Sequence, residues 1–331
     1  LADGHKPKNK GSGAAKTAKT AKTAKDPESA VTGKAGQGRP APRLTVRKTY
    51  KLYLGGAFPR SESGRCSPVT SSDGAHLANV SLASRKDARD AVAAARKAFG
   101  GWSARTAYNR GQILYRIAEV LEGRREQFAA ALTDALGLSR ADAAATVGAA
   151  VDRWVYYAGW TDKFTQVLGG ANPVAGPFHN QSTPEPVGVV AVFAPQGAPL
   201  LGLTSVLAPV IATGNTAVVV SSERAPLPSI DLAEVLATSD LPGGVVNVLT
   251  GRSAEIGPHL AAHADVDALD LTGAGEAAVE LEEAAATTLT RVLRPGPGSD
   301  GGEEAWRGTD PGTSRMRPFL ETKTVWHPVG V

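Results

Sequence analysis

Val187-Gly188-Val189-Val190-Ala191-Val192-Phe193 is a near-continuous apolar run rich in β-branched residues. That is the composition of a parallel strand buried on both faces. An Ala/Pro/Gly turn follows, then a helix-like stretch at 200–213 and a second apolar run, Thr216-Ala217-Val218-Val219-Val220. Residues 228–239 predict a helix, Val245-Val246-Asn247-Val248-Leu249 a third strand, and 255–264 another helix. Ala268-Leu269-Asp270-Leu271-Thr272 predicts a fourth strand, ending at Gly273. This alternation is the signature of an α/β fold with a doubly wound parallel sheet. In such folds ligands sit at the carboxyl ends of the strands.

Upstream, Tyr50-Lys51-Leu52-Tyr53-Leu54 reads as a strand ending at Gly55-Gly56, followed by a Pro/Ser/Gly-rich connection. Ser84-Arg85-Lys86-Asp87 has capping-box spacing, with Asp in place of Glu. Ala91, Val92, Ala95 and Phe99 lie behind it at helical spacing. Ser103 is a candidate cap for a second helix, whose stripe of Ile113, Leu114, Ile117, Val120 and Leu121 continues through Phe128 and Leu132. Residues 141–164 form a third helical stretch. Three one-faced helices in succession need something to cover, and the sheet that follows supplies it.

Downstream, residues 276–290 are Ala/Glu-rich and helical in character, and the Gly/Pro/Asp-rich residues 291–314 read as a linker. The alternating stretch from Phe319 to Trp326 makes one strand, which must pair with a sheet in this chain or a partner. The expected organisation is a basic tail at 1–43, a cofactor-binding domain at 44–290, the linker, and an oligomerisation-type strand at 315–331.

Hydrophobic residues make up 42% and charged residues 21%, ordinary for a globular protein. The net charge of +4 is uneven: residues 1–43 hold ten Lys/Arg and three Asp/Glu. This tail, with its Lys-Thr-Ala repeats from Lys16, has little to bury and is expected to be disordered. Its electrostatics allow weak attraction to a polyanion, but no aromatic or motif supports nucleic-acid binding. The longest apolar runs are too short or too broken to span a bilayer, and no signal-peptide core is present, so a cytoplasmic location is expected. A single cysteine, Cys66, excludes an internal disulfide and a Cys-rich zinc site. His259 and His263 share helical spacing without a third ligand, so no metal is expected.

Several words, in order, resemble the aldehyde dehydrogenase superfamily. They are Tyr156-Tyr157-Ala158-Gly159-Trp160-Thr161-Asp162-Lys163, Pro184-Glu185-Pro186-Val187-Gly188-Val189-Val190 and Gly214-Asn215-Thr216-Ala217-Val218-Val219. Leu241-Pro242-Gly243-Gly244-Val245-Val246-Asn247-Val248-Leu249-Thr250-Gly251 follows, then His263-Ala264-Asp265-Val266-Asp267 and Leu271-Thr272-Gly273. The resemblance implies a Rossmann-like NAD(P)-binding domain preceded by a helical segment. It implies cofactor contacts at Phe193, Ala194, Pro195, Glu223, Gly251, Leu271, Thr272, Gly273 and Ala274.

The departures matter as much. The family's Pro-Trp-Asn-Phe-Pro loop is Pro195-Gln196-Gly197-Ala198-Pro199 here, so Gly197 replaces the Asn that binds the developing oxyanion. Loss of one such donor typically costs on the order of 100- to 1,000-fold in rate. Val220 stands where the family's ribose-binding Lys does, while Glu223 keeps the acidic position. Ala274 and Gly275 replace the end of a Gly-Ser-Thr word, and small residues there still admit a pyrophosphate. The Glu-Leu-Gly-Gly-Lys word with its general base is absent, although Glu280, Glu282 and Glu283 lie near its place. No cysteine follows, and the catalytic domain expected next is largely missing. Cys66 is too far upstream to be the nucleophile, so no catalytic residue is assigned. Residues 319–331 resemble the family's terminal tail.

These departures imply a pseudoenzyme, acting in a homo-oligomer or as partner of a full-length aldehyde dehydrogenase, with NAD or NADP binding weakened or lost. The alternatives are an NAD(P)-binding regulatory module, and an oxidoreductase completed by a catalytic domain from another chain.

Overall fold

The computed structural model describes residues 46–296, 298, 299 and 301–330, so the tail expected at 1–43 lies outside the described residues. The first strands are β1 (Thr49–Tyr50), β2 (Cys66–Thr70) and β3 (His76–Ser81). β3 pairs parallel with β1 and antiparallel with β2. The β2–β3 hairpin falls in the stretch expected to be a plain connection. Its alternation is short and broken by Pro68, and its only buried hydrophobic residues are Val69, Ala78 and Val80, which pack with Leu227.

Helices α1 (Arg85–Ser103), α2 (Ala107–Gly123), α3 (Arg125–Leu136), α4 (Arg140–Ala158) and α5 (Phe164–Leu168) follow. The capping box forms as expected: the Asp87 N–H donates to Ser84 Oγ, and the Ser84 N–H to the Asp87 carboxylate at 2.8 Å. Ser61 and the Glu62 N–H also donate to Asp87, which fixes the loop before the helix. Ser103 ends α1 rather than capping α2; Thr106 caps α2 by accepting the Asn109 N–H. The stripe from Ile113 to Leu132 is interrupted at Arg124, whose guanidinium reaches Glu234 at 2.8 Å. The stretch expected at 141–164 likewise divides into α4 and α5.

Next come β4 (Gly170–Asn172), β5 (Phe178–Pro186), β6 (Val189–Phe193), α6 (Leu201–Ala212), β7 (Thr216–Val220) and α7 (Leu227–Ala237). They are followed by β8 (Val246–Leu249), α8 (Ser253–Ala261), β9 (Ala268–Asp270), α9 (Ala278–Ala286), β10 (Arg291–Leu293), α10 (Glu303–Arg307) and β11 (Leu320–Pro328). Residues 291–314 therefore carry a strand and a helix where a linker was expected. Arg291–Leu293 pairs in parallel with β9, and Glu303 and Trp306 are buried.

The central sheet runs β10-β9-β6-β7-β8, all parallel. Its side chains alternate between two cores, as the period of a strand requires. Val190, Val192, Ala217 and Val219 join the core built with α2, α3, α4, α6 and α7. Val189, Ala191, Phe193, Val218 and Val220 join the one built with α1, α8 and α9. All twelve residues of α6 are buried, so it lies between the sheet and the upstream helices rather than at the surface.

A separate antiparallel sheet, β11-β5-β4, is mostly exposed. β11 pairs with β5 from Leu320 opposite Pro186 to Pro328 opposite Phe178. Asn215 ties this sheet's root to the central one. Its Oδ1 accepts the Gly188 N–H at 2.8 Å, and its Nδ2 donates to the Phe319 carbonyl at 2.9 Å. Asn215→Ala is expected to orphan both buried groups and lower stability by about 3 kcal/mol. Urea denaturation should show a lower midpoint at an unchanged slope.

Candidate functional site

Strand order reverses between β6 and β9: from β6 the chain moves to β7 and β8 on one side, then returns to β9 and β10 on the other. A crevice opens at such a switch point, outside the carboxyl ends of the strands. Phe193, Ala194 and Pro195 leave one side, and Leu271, Thr272, Gly273 and Ala274 the other. The Gly273 N–H donates to the Phe193 carbonyl at 2.9 Å, and a Cβ on Gly273 would run into the Ala194 carbonyl. Only glycine allows the two strand ends to meet this closely. Phe193 and Leu271 are wholly buried, so they support the crevice from beneath.

Gln196 spans the opening. Its Nε2 donates to the Ala194 and Gly273 carbonyls, each at 3.2 Å, and its Oε1 accepts the Glu223 N–H at 2.9 Å. A cavity of about 430 Å³ lies on the Gly273 side, lined by Gln196, Thr272, Gly273, Gly275, Pro295 and Ser299. A smaller one of about 200 Å³ is lined by Ser222, Glu223, Gly251, Arg252, Val69 and Val80. The nine expected residues thus fall into two groups, Glu223 and Gly251 apart from the other seven, and Gln196 links the two linings.

Glu223 Oε1 accepts the Ser253 N–H at 2.7 Å, so this carboxylate caps α8. Gly251 has φ of 149°, and a Cβ there would lie 3.1 Å from the Ala83 nitrogen. Val220 is buried in the sheet and offers no donor to the crevice. Cys66 is exposed, stands opposite Ser81 in the β2–β3 ladder, and lines neither cavity. Among the described residues no cluster of His, Cys, Asp and Glu could hold a metal ion.

Two residues that sequence reasoning passed over do the most here. Glu303 is buried with its carboxylate at the N-terminus of α6. It accepts the Leu200 N–H at 2.8 Å and the Leu201 N–H at 3.0 Å. Burial pushes its carboxyl up to about 7, against the pull of the Leu200, Leu201 and Gly202 N–H groups. Gly302 beside it faces the Gly197 carbonyl, 3.8 Å from where a Cβ would stand. The sequence signal was an acidic pair, Glu303-Glu304, opening an apolar turn, but the surrounding glycines and prolines hid it.

The second is Arg315. Its Nη1 reaches Asp270 Oδ2 at 3.4 Å and Thr272 Oγ1 at 3.1 Å, and its guanidinium lies over the Trp306 ring. Asp270 is fully buried; burial raises its carboxyl above the usual range, while Arg315 and the Thr272 hydrogen bonds pull it down. Arg153 donates to the Trp306 and Thr309 carbonyls, and the Tyr157 hydroxyl to the Pro311 carbonyl. Residues 303–316 are thereby fastened over α4 and α6.

The profile of the aldehyde dehydrogenase family matches residues 58–300. The chain is 35% identical over 242 residues to cytosolic 10-formyltetrahydrofolate dehydrogenase of Mus musculus, covering 71% of this chain and 26% of that protein. It is 31% identical over 262 residues to aldehyde dehydrogenase, cytosolic 1 of Elephantulus edwardii, covering 76% and 51%. Among solved structures, an NAD-dependent aldehyde dehydrogenase from Sinorhizobium meliloti superposes with a TM-score of 0.70 at 30% identity, covering 76% of this chain and 51% of that one. The NAD⁺ complex of aldehyde dehydrogenase from Bacillus cereus gives 0.69 at 29%, covering 74% and 50%. The chain spans about a quarter of the formyltetrahydrofolate enzyme and about half of the other relatives. It belongs to the aldehyde dehydrogenase family.

Arg315→Ala leaves buried Asp270 without its cation and is expected to cost about 3 kcal/mol where the carboxyl is ionised. The folded-state carboxyl of Asp270 is raised and rises further without Arg315, so the penalty is largest at high pH and fades as acid protonates the group. Chemical denaturation at a series of pH values from acid to alkaline measures this, and an equal loss throughout would rule Asp270 out as the partner.

Proposed function

We propose that this member of the aldehyde dehydrogenase family binds NAD or NADP weakly and oxidises no aldehyde by itself, serving as a cofactor-domain subunit in an assembly. One observation carries the reading. Glu303 fills the N-terminus of α6, and Gly302 before it faces Gly197, where the resemblance puts the Asn that binds the developing oxyanion. A buried acid there repels an oxyanion when ionised and blocks the N–H donors in either state. Cys66 lies elsewhere, so no thiolate faces that point.

The residues present fit the phosphate end of a dinucleotide better than its ribose end. Gly273 brings backbone close to the crevice, and Gly275, at φ of 57°, has open space where a Cβ would stand. Thr272, Gly273 and Ala274 would hold the pyrophosphate side, with Phe193, Ala194 and Pro195 shaping the opposite wall. At the ribose end Glu223 spends one oxygen on α8 and Val220 supplies nothing. A bound nicotinamide would supply a hydride acceptor; the chain's part would be to orient it and exclude water.

Weak binding of this kind suits a regulatory module or a partner subunit. The exposed β11-β5-β4 sheet supports an assembly, homo-oligomeric or with a full-length aldehyde dehydrogenase. Trp326 is 56% exposed and Phe178 42%, and the two rings meet edge to face at 5.8 Å. No described helix is long and apolar enough to cross a membrane, and a cytoplasmic location remains part of the proposal.

Calorimetric titration of the full chain with NAD⁺ or NADP⁺ is expected to give saturable heat, without NADH from a panel of aldehydes. Silence at millimolar cofactor, or aldehyde-dependent NADH abolished by Cys66→Ser, would overturn the reading.

The Glu303 closure has its own signature. Its folded value of about 7 exceeds the ordinary 4.5, so its contribution is full in acid and lost as pH rises to neutrality. Glu303→Gln is expected to remove that loss, roughly 3 kcal/mol across the window. Denaturation curves at a series of pH values test this; an unchanged slope would place the carboxylate outside the helix terminus.

A further inference from the structure

A further cavity, of about 420 Å³, lies away from the strand crevice, between β1, β3, α3 and α7. Its walls include Tyr50, Leu77, Ala130, Ala131, Leu227 and Asp231. Leu227 and Ala78 belong to the small core with Val69 and Val80, whose other side lines the Glu223 cavity. Asp231 is only 3% exposed, and its Oδ1 has no hydrogen-bond partner among the described residues. A buried acceptor left without a donor costs about 1–3 kcal/mol. Burial, then Glu234, raises the Asp231 carboxyl to about 6, while Lys48 and Arg124 pull it down.

The nearby charges restrict what can relieve this. Glu234 is already held by Lys48 at 2.9 Å and Arg124 at 2.8 Å, so neither cation is free for Asp231. Arg47 Nη1 donates to the Leu77 carbonyl. A cationic ligand would meet Arg47 and Lys48 in the lining, and an anionic one would meet Asp134 and Asp231. A neutral molecule meets neither objection, and most of the remaining wall is aliphatic or aromatic.

We infer that this cavity is a small-molecule site for a neutral alcohol with an apolar body, its hydroxyl donating to Asp231 and its body lying against Tyr50, Leu77, Ala131 and Leu227. The site is distinct from the dinucleotide crevice, and the inference does not rest on the proposed function.

Benzyl alcohol and benzyl methyl ether share a ring and an oxygen, but only the alcohol donates. Titrating each into the full chain while following backbone amide resonances separates donor recognition from apolar filling. The alcohol is expected to give saturable shifts around Ala78, Ala131 and Asp231, with the ether roughly ten-fold weaker. Asp231→Leu is expected to erase the preference, and Ala131→Phe, which fills the cavity and leaves Asp231 intact, to weaken both ligands. Three outcomes would overturn the site: equal affinity for alcohol and ether, no saturable shift with either, or a preference that survives Asp231→Leu.

Discussion

Burial of β6 on both faces is the constraint from which the rest of the molecule follows. Val189, Ala191 and Phe193 point into one core, and Val190 and Val192 into the other. A strand of this kind cannot stand at an edge or face water, so neighbours must pair on both sides and helices must cover both surfaces. The chain meets the first demand with β7 and β9, whose divergence from β6 opens the crevice. It meets the second with α1, α8 and α9 on one face and α6 on the other. Because α6 is itself apolar all round, it needs covering too, and α2 and α4 do this.

Full burial of α6 leaves its N-terminal N–H groups without water. The resemblance puts the family's oxyanion-binding Asn at Gly197, three residues before Leu200. Here the chain returns its own carboxylate to that terminus. Glu303 satisfies the Leu200 and Leu201 N–H groups, and Arg315, Arg153 and Tyr157 hold the surrounding segment in place. Each contact joins a residue before the sheet, or within it, to one after residue 300. These polar groups close the fold.

Much of the fold was legible because one local pattern decided it. The strand at Thr216–Val220 and the helix beginning behind Ser84 follow directly from apolar runs and cap chemistry. Where local and tertiary signals disagreed, reading failed. The β2–β3 hairpin buries too few side chains to print a clear alternation, and Ser103 looked like a cap although it is still the last residue of α1, and Thr106 takes the capping role. Residues 291–314 look like a linker in composition, yet Glu303 and Trp306 bury there against partners far away in sequence. Gln196 was visible only as a departure from the family's loop; that it bridges three strand ends depends on the switch point.

The long β5–β11 ladder has a consequence for the order of folding. Ser182 and Thr324, hydrogen-bonded across it, are 142 residues apart. Contacts so distant in sequence incur loop-closure entropy before they give anything back, so this ladder forms late. During synthesis β5 emerges well before β11 and waits with one edge paired only to the three residues of β4. An unpaired edge on a nascent chain invites strands from other chains. The interval between the two strands is therefore a window for misassembly.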